Sequence, residues 1–243
     1  GGQQTQGSVG LMLTERAVAA ENITHGYDAG IRLRGSLLGD MGPFAPAGIT
    51  AKVGVYSGDG SVLTPDDNKG VLLVGALHLN FGDDLGWSES CLWDGVFGLR
   101  AGASAAINWE RESKDQMLSV DLLAKVWRFS LRGEYLMANR EPTYQATDEA
   151  PYPERFRRHG YLMQMGFMVV PDHLELAFRH DYYDDDREDV DDYSAVRYLT
   201  GGANVFFLEG RVKFQLDYIH RMEAGAVEAI SNDTFMAQAT LAL

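Results

Sequence analysis

Proline is scarce, 7 in 243 residues, and cysteine is nearly absent, with Cys91 alone. A single cysteine excludes an internal disulfide framework and a cysteine-based zinc site. No run approaches the ~20 consecutive apolar residues of a membrane-crossing helix. That excludes helices only, because a spanning strand needs about 9–11 residues and turns every second side chain away from lipid. Basic residues are outnumbered, 21 Lys and Arg against 35 Asp and Glu, for a formal charge of −14. Such a balance argues against nucleic acid as a partner. Catalytic signatures are also missing. There is no G-x-S-x-G elbow, no P-loop and no metal spacing among His25, His78, His159, His173, His180 and His220. The pair His180-Asp181 is what six histidines among many acids offer by chance. No enzyme and no cofactor are expected. No secretory signal precedes Gly1, which is consistent with a processed or truncated start.

What the chain does hold is glycine, 27 residues, and alternation. The last segments are the clearest. In Arg211–His220, Val212, Phe214, Leu216 and Tyr218 alternate with Arg211, Lys213, Gln215 and Asp217. In Thr234–Leu243, Phe235, Ala237, Ala239, Leu241 and Leu243 oppose Thr234, Met236, Gln238 and Thr240. Successive side chains of a strand point to opposite faces, so a period of two predicts strands. The same period predicts strands at Gly30–Leu37, Ile49–Tyr56, Val71–Phe81, Val96–Trp109, Leu118–Val126, Phe129–Met137, His173–Asp181 and Val196–Leu208. Tyr161–Val170 is strand-like but apolar on both faces, relieved by Gln164 and Gly166. Ser8–Ala20 is ambiguous between strand, short helix and loop. About eleven strands result.

From Leu118 onward the links are alternately short and long. Trp127-Arg128, Pro171-Asp172 and Glu209-Gly210 are tight, whereas Arg140–Arg158, Asp184–Ala195 and Arg221–Asp233 are long. Earlier the rule fails, since Gly58–Gly70 and Gly82–Gly95 are both long. Short turns on one side and long loops on the other are the habit of outer-membrane barrels. A soluble sandwich also alternates, but rarely keeps long loops at one end. Tyr56, Phe81, Trp93, Trp109, Trp127, Phe129, Tyr161 and Phe207 lie near segment ends, where aromatic girdles belong. Any one of them alone reads as core packing.

The wording of these segments resembles the phosphate-selective porin O and P family of outer-membrane channels. The residues that carry the likeness are Gly202–Tyr218, similar to a final hairpin GxNYYxxGxxxKxQxDY. Gly160–Phe167 with Pro171 and Leu174–Arg179 adds a second match, and Phe129–Tyr135, Asp28–Ile31 and Gly54–Gly58 add shorter ones. The resemblance runs from Asp28 to the end and implies an all-β transmembrane up-and-down barrel in the cell outer membrane. It also implies a passive channel, membrane lipid and lipopolysaccharide as surroundings, small solutes or anions as cargo, and a homotrimer. Residues 1–27 are expected to be an N-terminal segment, partly disordered or the remnant of a preceding strand, and 28–243 the barrel. Members of that family are larger, and a closed bacterial barrel has an even strand count. The expectation is therefore that further N-terminal strands lie outside this chain. Leu243 departs from the aromatic residue that usually ends such barrels.

If the apolar faces meet lipid, the opposite faces form a wall carrying Arg32, Arg34, Lys52, Arg100, Lys125, Arg132, Arg179, Arg211 and Lys213. Its acids are Asp121, Glu134, Glu175, Asp181 and Asp217. This net basic wall would favour anions, as rings of Arg and Lys do in anion pores. The same charges also read as mutual bracing, Arg132 with Glu134 and Glu175 with Arg179. Arg155, Arg157 and Arg158 read as a patch at a strand mouth, and Asp184–Asp192 as a solvated outer loop rather than a cation site. The alternative to a channel is a barrel acting as a structural, adhesin or receptor component of an envelope complex.

Overall fold

The structure is a computed structural model that describes residues 11–23, 29–39, 47–57, 70–85, 88–92, 95–109, 113–142, 156–185, 195–223 and 232–241. Within them lie eleven strands. They are β1 (Gly30–Gly39), β2 (Ala47–Tyr56), β3 (Val71–Gly82), β4 (Val96–Trp109), β5 (Ser113–Trp127), β6 (Phe129–Pro142), β7 (Phe156–Val170), β8 (Leu174–Asp184), β9 (Ala195–Phe207), β10 (Val212–Glu223) and β11 (Thr234–Leu241). They form one antiparallel sheet whose order in space is the order in the chain. A single short helix, α1 (Val18–Ile23), precedes them. Trp93, Arg155 and most of the acidic run Asp184–Asp192 lie outside the described residues. Within Leu11–Ile23, of the segment left ambiguous above, the structure has the short helix and no strand. The helix begins at Val18 rather than at Thr14.

The expected strand at Leu118–Val126 extends back to Ser113, and the one at Phe129–Met137 runs on to Pro142. Their outward positions beyond Leu118 and Met137 are Gln116, Lys114, Asn139 and Glu141, so the apolar period stops while the hydrogen-bonded ladder continues. The strands rise past the zone where an apolar outer face is needed.

The tight turns are built with left-handed backbone at non-glycine residues: Trp127 (φ 58°), Asp172 (φ 62°), Leu208 (φ 51°) and Glu209 (φ 58°). At Leu208 and Glu209 the left-handed pair matches the right-handed twist of the strands it joins. Among the described residues β1 pairs only with β2 and β11 only with β10, so no ladder joins the two edges.

The two faces invert the usual soluble arrangement. Outward residues are apolar and exposed, including Val120 (46%), Leu131 (44%), Phe178 (46%) and Leu216 (58%). Inward residues such as Lys125, Arg132, Gln164, Glu175, Arg179 and Asp217 carry ionisable or amide groups and are buried. Aromatic pairs border the outer face. Trp127, Phe129 and Phe167 cluster near the short turns, with Phe129 and Phe167 centroids 4.6 Å apart. Tyr161 stacks on Tyr182 at 5.6 Å nearer the other end. Phe129 and Tyr135 are six residues apart on β6, roughly 20 Å at ~3.3 Å per residue. That is close to the ~25 Å apolar band of an outer-membrane barrel.

Replacing Val120 with arginine at mid-strand tests this face. In lipid the substitution should cost about 2–4 kcal/mol, whereas on a water-facing surface it would change little. Urea unfolding from lipid vesicles measures the difference, and a shift near zero would refute a lipid-facing β5.

Candidate functional site

The inward face is not an empty wall. Two segments fill the concavity between β5 and β10, and side chains of the wall hold both of them.

The first belongs to the β3–β4 link. Lys125 Nζ donates to the carbonyl oxygens of Leu85 (2.6 Å) and Ser88 (2.8 Å). Glu89 is fully buried. It accepts from Arg132 Nη1 at 2.8 Å and from Gln164 Nε2 at 2.8 Å. Ser90 Oγ donates to Glu175 Oε2 at 2.6 Å. Cys91 Sγ contacts the Trp127 carbonyl oxygen. Leu92 packs on Met168 and Phe206 near the short turns. This link leaves from the short-turn side, where its neighbours are tight turns. Its extra length is spent inside the barrel.

The second segment is Leu11–Ile23. The wall meets its main chain. Lys213 Nζ donates to the Leu11 carbonyl oxygen, and Asn204 Nδ2 (2.7 Å) and Gln215 Nε2 (3.1 Å) donate to that of Met12. The Met12 amide donates to Glu89 at 3.0 Å, the Thr14 amide to Asp217 at 2.6 Å and the Val18 amide to Asp181 at 3.0 Å. Arg179 Nη1 donates to the Glu15 carbonyl oxygen at 2.7 Å. An irregular segment without ladder partners leaves its peptide groups unsatisfied, and these side chains satisfy them. Small apolar contacts complete the fit. Met12 and Leu13 pack on Ala177, Ala17 and Ala20 on Leu162, and Ala19 and Ile23 on Leu136 and Ala138. Inward glycines make the room. A Cβ built on Gly160 would lie 2.5 Å from that of Ala19, one on Gly166 2.8 Å from Met12, and one on Gly202 2.7 Å from Leu13.

The ten charged residues singled out from sequence divide into three groups. Lys125, Arg132, Glu134, Arg179 and Lys213 are buried against the two segments. Arg132 bridges Glu89 and Glu134 (2.9 Å). Arg32, Arg34, Lys52 and Arg100 lie on the β1–β4 side. There Arg32 and Lys52 line a cavity of about 110 Å³ with Tyr56, His78, Ser104 and Asp121. Arg32 and Arg34 are exposed and Arg100 half-buried. Arg211 is exposed in the turn before β10, off the wall. The expected pair Arg132/Glu134 is present. The pair Glu175/Arg179 is not: Arg179 lies against Asp181 at 3.2 Å, and Glu175 receives Ser90 and Asn204. Strand neighbours two apart are ~6.6 Å from each other along the strand, whereas residues four apart are ~13 Å from each other. Sequence reasoning missed Glu89, Gln164, Asn204 and Gln215 as members of the site, along with both filling segments.

No family model matches the chain, and no curated protein does. Among solved structures the chain is similar to the outer membrane channel DcaP of Acinetobacter baumannii, with 11% identity and a TM-score of 0.53. The match covers 90% of this chain and 64% of that one. The fold is that of an outer-membrane channel barrel. This chain spans about two thirds of the length of the channel it matches. The resemblance to phosphate-selective porins reduces to this porin-like fold.

Proposed function

We propose that the chain forms the wall of an outer-membrane channel of the porin type, passing small solutes. One observation carries this reading: across the sheet the outward face is apolar and the inward face is rich in ionisable and amide side chains. That inversion is stable only with lipid outside and polar matter inside. The solute path runs along the β1–β4 side, because the β5–β10 side is filled. There Lys52 feels the charges of Arg34, Arg32 and Arg100, with Asp121 opposing them. This excess of positive charge lowers the barrier for anions. Phosphate in particular is one anion among those this wall would favour.

Single-channel recording in a planar bilayer under a salt gradient tests the proposal. Discrete steps with an anion-preferring reversal potential are expected. Lys52→Glu and Arg100→Glu should each move the reversal potential toward cations, whereas Arg211→Glu, in the turn, should leave it nearly in place. Absence of steps from lipid-inserted protein would remove the channel reading. The filled lumen would then favour a second one, a barrel that serves an envelope complex as a structural or receptor component.

A further inference from the structure

The contacts between the wall and Leu11–Ile23 have a common character. Lys213, Asn204, Gln215, Glu89, Asp217, Arg179 and Asp181 all bond to peptide N–H or C=O groups. Donors of the wall meet carbonyls at Leu11, Met12 and Glu15, and acceptors meet amides at Met12, Thr14 and Val18. The side chains that enter the wall are small or flexible and find apolar notches at Ala177, Leu162 and Leu136. Asn204 Oδ1 and Gln215 Oε1 are buried and have no hydrogen-bond partner among the described residues, so acceptor capacity remains.

We propose that the inner wall of β7–β10, together with Glu89, is a binding groove for the backbone of an irregular oligopeptide segment leading into a helical turn, and that Leu11–Ile23 occupies it as an internal ligand. The ligand class is a peptide with small or flexible apolar side chains at the positions of Met12, Leu13, Ala17 and Ala20. Sequence is read weakly, because the polar contacts address groups that every residue carries. The buried charges Lys213, Asp217, Arg179 and Asp181 give the groove its affinity, since hydrogen bonds to charged groups are the stronger kind. Access from water rests on the lumen reading given above, but binding itself does not require conduction.

The test uses the full chain in lipid nanodiscs with Leu13→Asp, which places a carboxylate against Asp217 and drives the internal segment out. Hydrogen exchange of residues 11–23 verifies the release. The probe is a fluorescent synthetic peptide of the sequence Leu11–Ile23. Saturable binding is expected. N-methylation of the peptide at Met12, Thr14 and Val18 should weaken it at least about tenfold, as should Asp181→Asn or Asp217→Asn in the protein. Glu15→Ala with Asn22→Ala in the peptide should change it only a few-fold. Binding insensitive to N-methylation would overturn the proposal, and so would absence of binding once the segment exchanges as free chain. If Leu13→Asp does not insert into lipid, Ala17→Asp releases the segment by the same means. Failure of binding with conductance retained removes the peptide groove alone, and failure of conductance with binding retained removes the channel alone.

Discussion

Replacing Arg132 with methionine is expected to destabilise the protein by about 3–5 kcal/mol, the cost of leaving a buried partner charge uncompensated. The guanidinium is 2% exposed and bridges two carboxylates, Glu89 at 2.8 Å and Glu134 at 2.9 Å. The substitution takes this cation away from both acids. Lys125, the nearest buried ammonium on β5, is committed to the carbonyls of Leu85 and Ser88. Glu89 keeps the neutral donors Gln164 amide and Met12 N–H, and Glu134 keeps the Ser119 hydroxyl at 3.3 Å. The triple variant Arg132→Met, Glu89→Gln, Glu134→Gln removes all three charges and should recover most of the loss, because a neutral isostere often matches a buried ion pair. Arg34→Met, on an exposed edge strand, should fall within about 1 kcal/mol of the parent. Urea unfolding from vesicles ranks the three. Equal midpoints for Arg132→Met and Arg34→Met would show that the cluster is not buried as described.

The strands were legible because lipid enforces the period of two on the outward face, and where lipid ends the signal ends. Ser113–Met117 and Ala138–Pro142 were therefore missed as strand although the ladder runs through them. The filling of the lumen was not read, although three signals carried it. Inward positions that ought to be polar are instead Leu136, Leu162, Met168 and Phe206, each packed on a filling segment. Tyr161–Val170 looked apolar on both faces for this reason. Inward glycines mark close approach at Gly160, Gly166 and Gly202. The long link Gly82–Gly95, which broke the rule of short and long connections, is the one that turns inward. What no pattern could give is the pairing of Glu89 with Arg132, 43 residues apart in sequence, because a loop acid has no periodicity to place it. The charged wall was read as one surface. It is two: a braced half, where the charges hold polypeptide, and a β1–β4 half, where Arg32 and Lys52 line a cavity with Asp121.

Leu13→Asp combined with Ala20→Asp is expected to enlarge the single-channel steps several-fold. Fixing the backbone of Leu11–Ile23 costs about 20 kcal/mol at ~1.5 kcal/mol per residue. Its hydrogen bonds to the wall and the burial of Leu11, Met12, Leu13, Val18 and Ile23 return a similar amount, at about 1–1.5 kcal/mol per bond and ~1.5–3 per side chain. The segment is thus held by a small difference, and several kcal/mol for each buried carboxylate reverses it. Leu13 lies beside Asp217 at Gly202, so like charges add to the penalty there, and Ala20 faces the apolar Leu162. Withdrawal empties the space between β7 and β10, and water with its ions takes the place of polypeptide. The wall charges then exposed include Lys213 and Arg179 as well as Asp181 and Asp217, so the larger steps should carry a weaker anion preference than the parent. Leu13→Met, which conserves volume and polarity, should leave the steps at parental size. If the double variant conducts as the parent does while its residues 11–23 exchange freely, the segment does not lie in the solute path, and the β1–β4 side alone sets conductance.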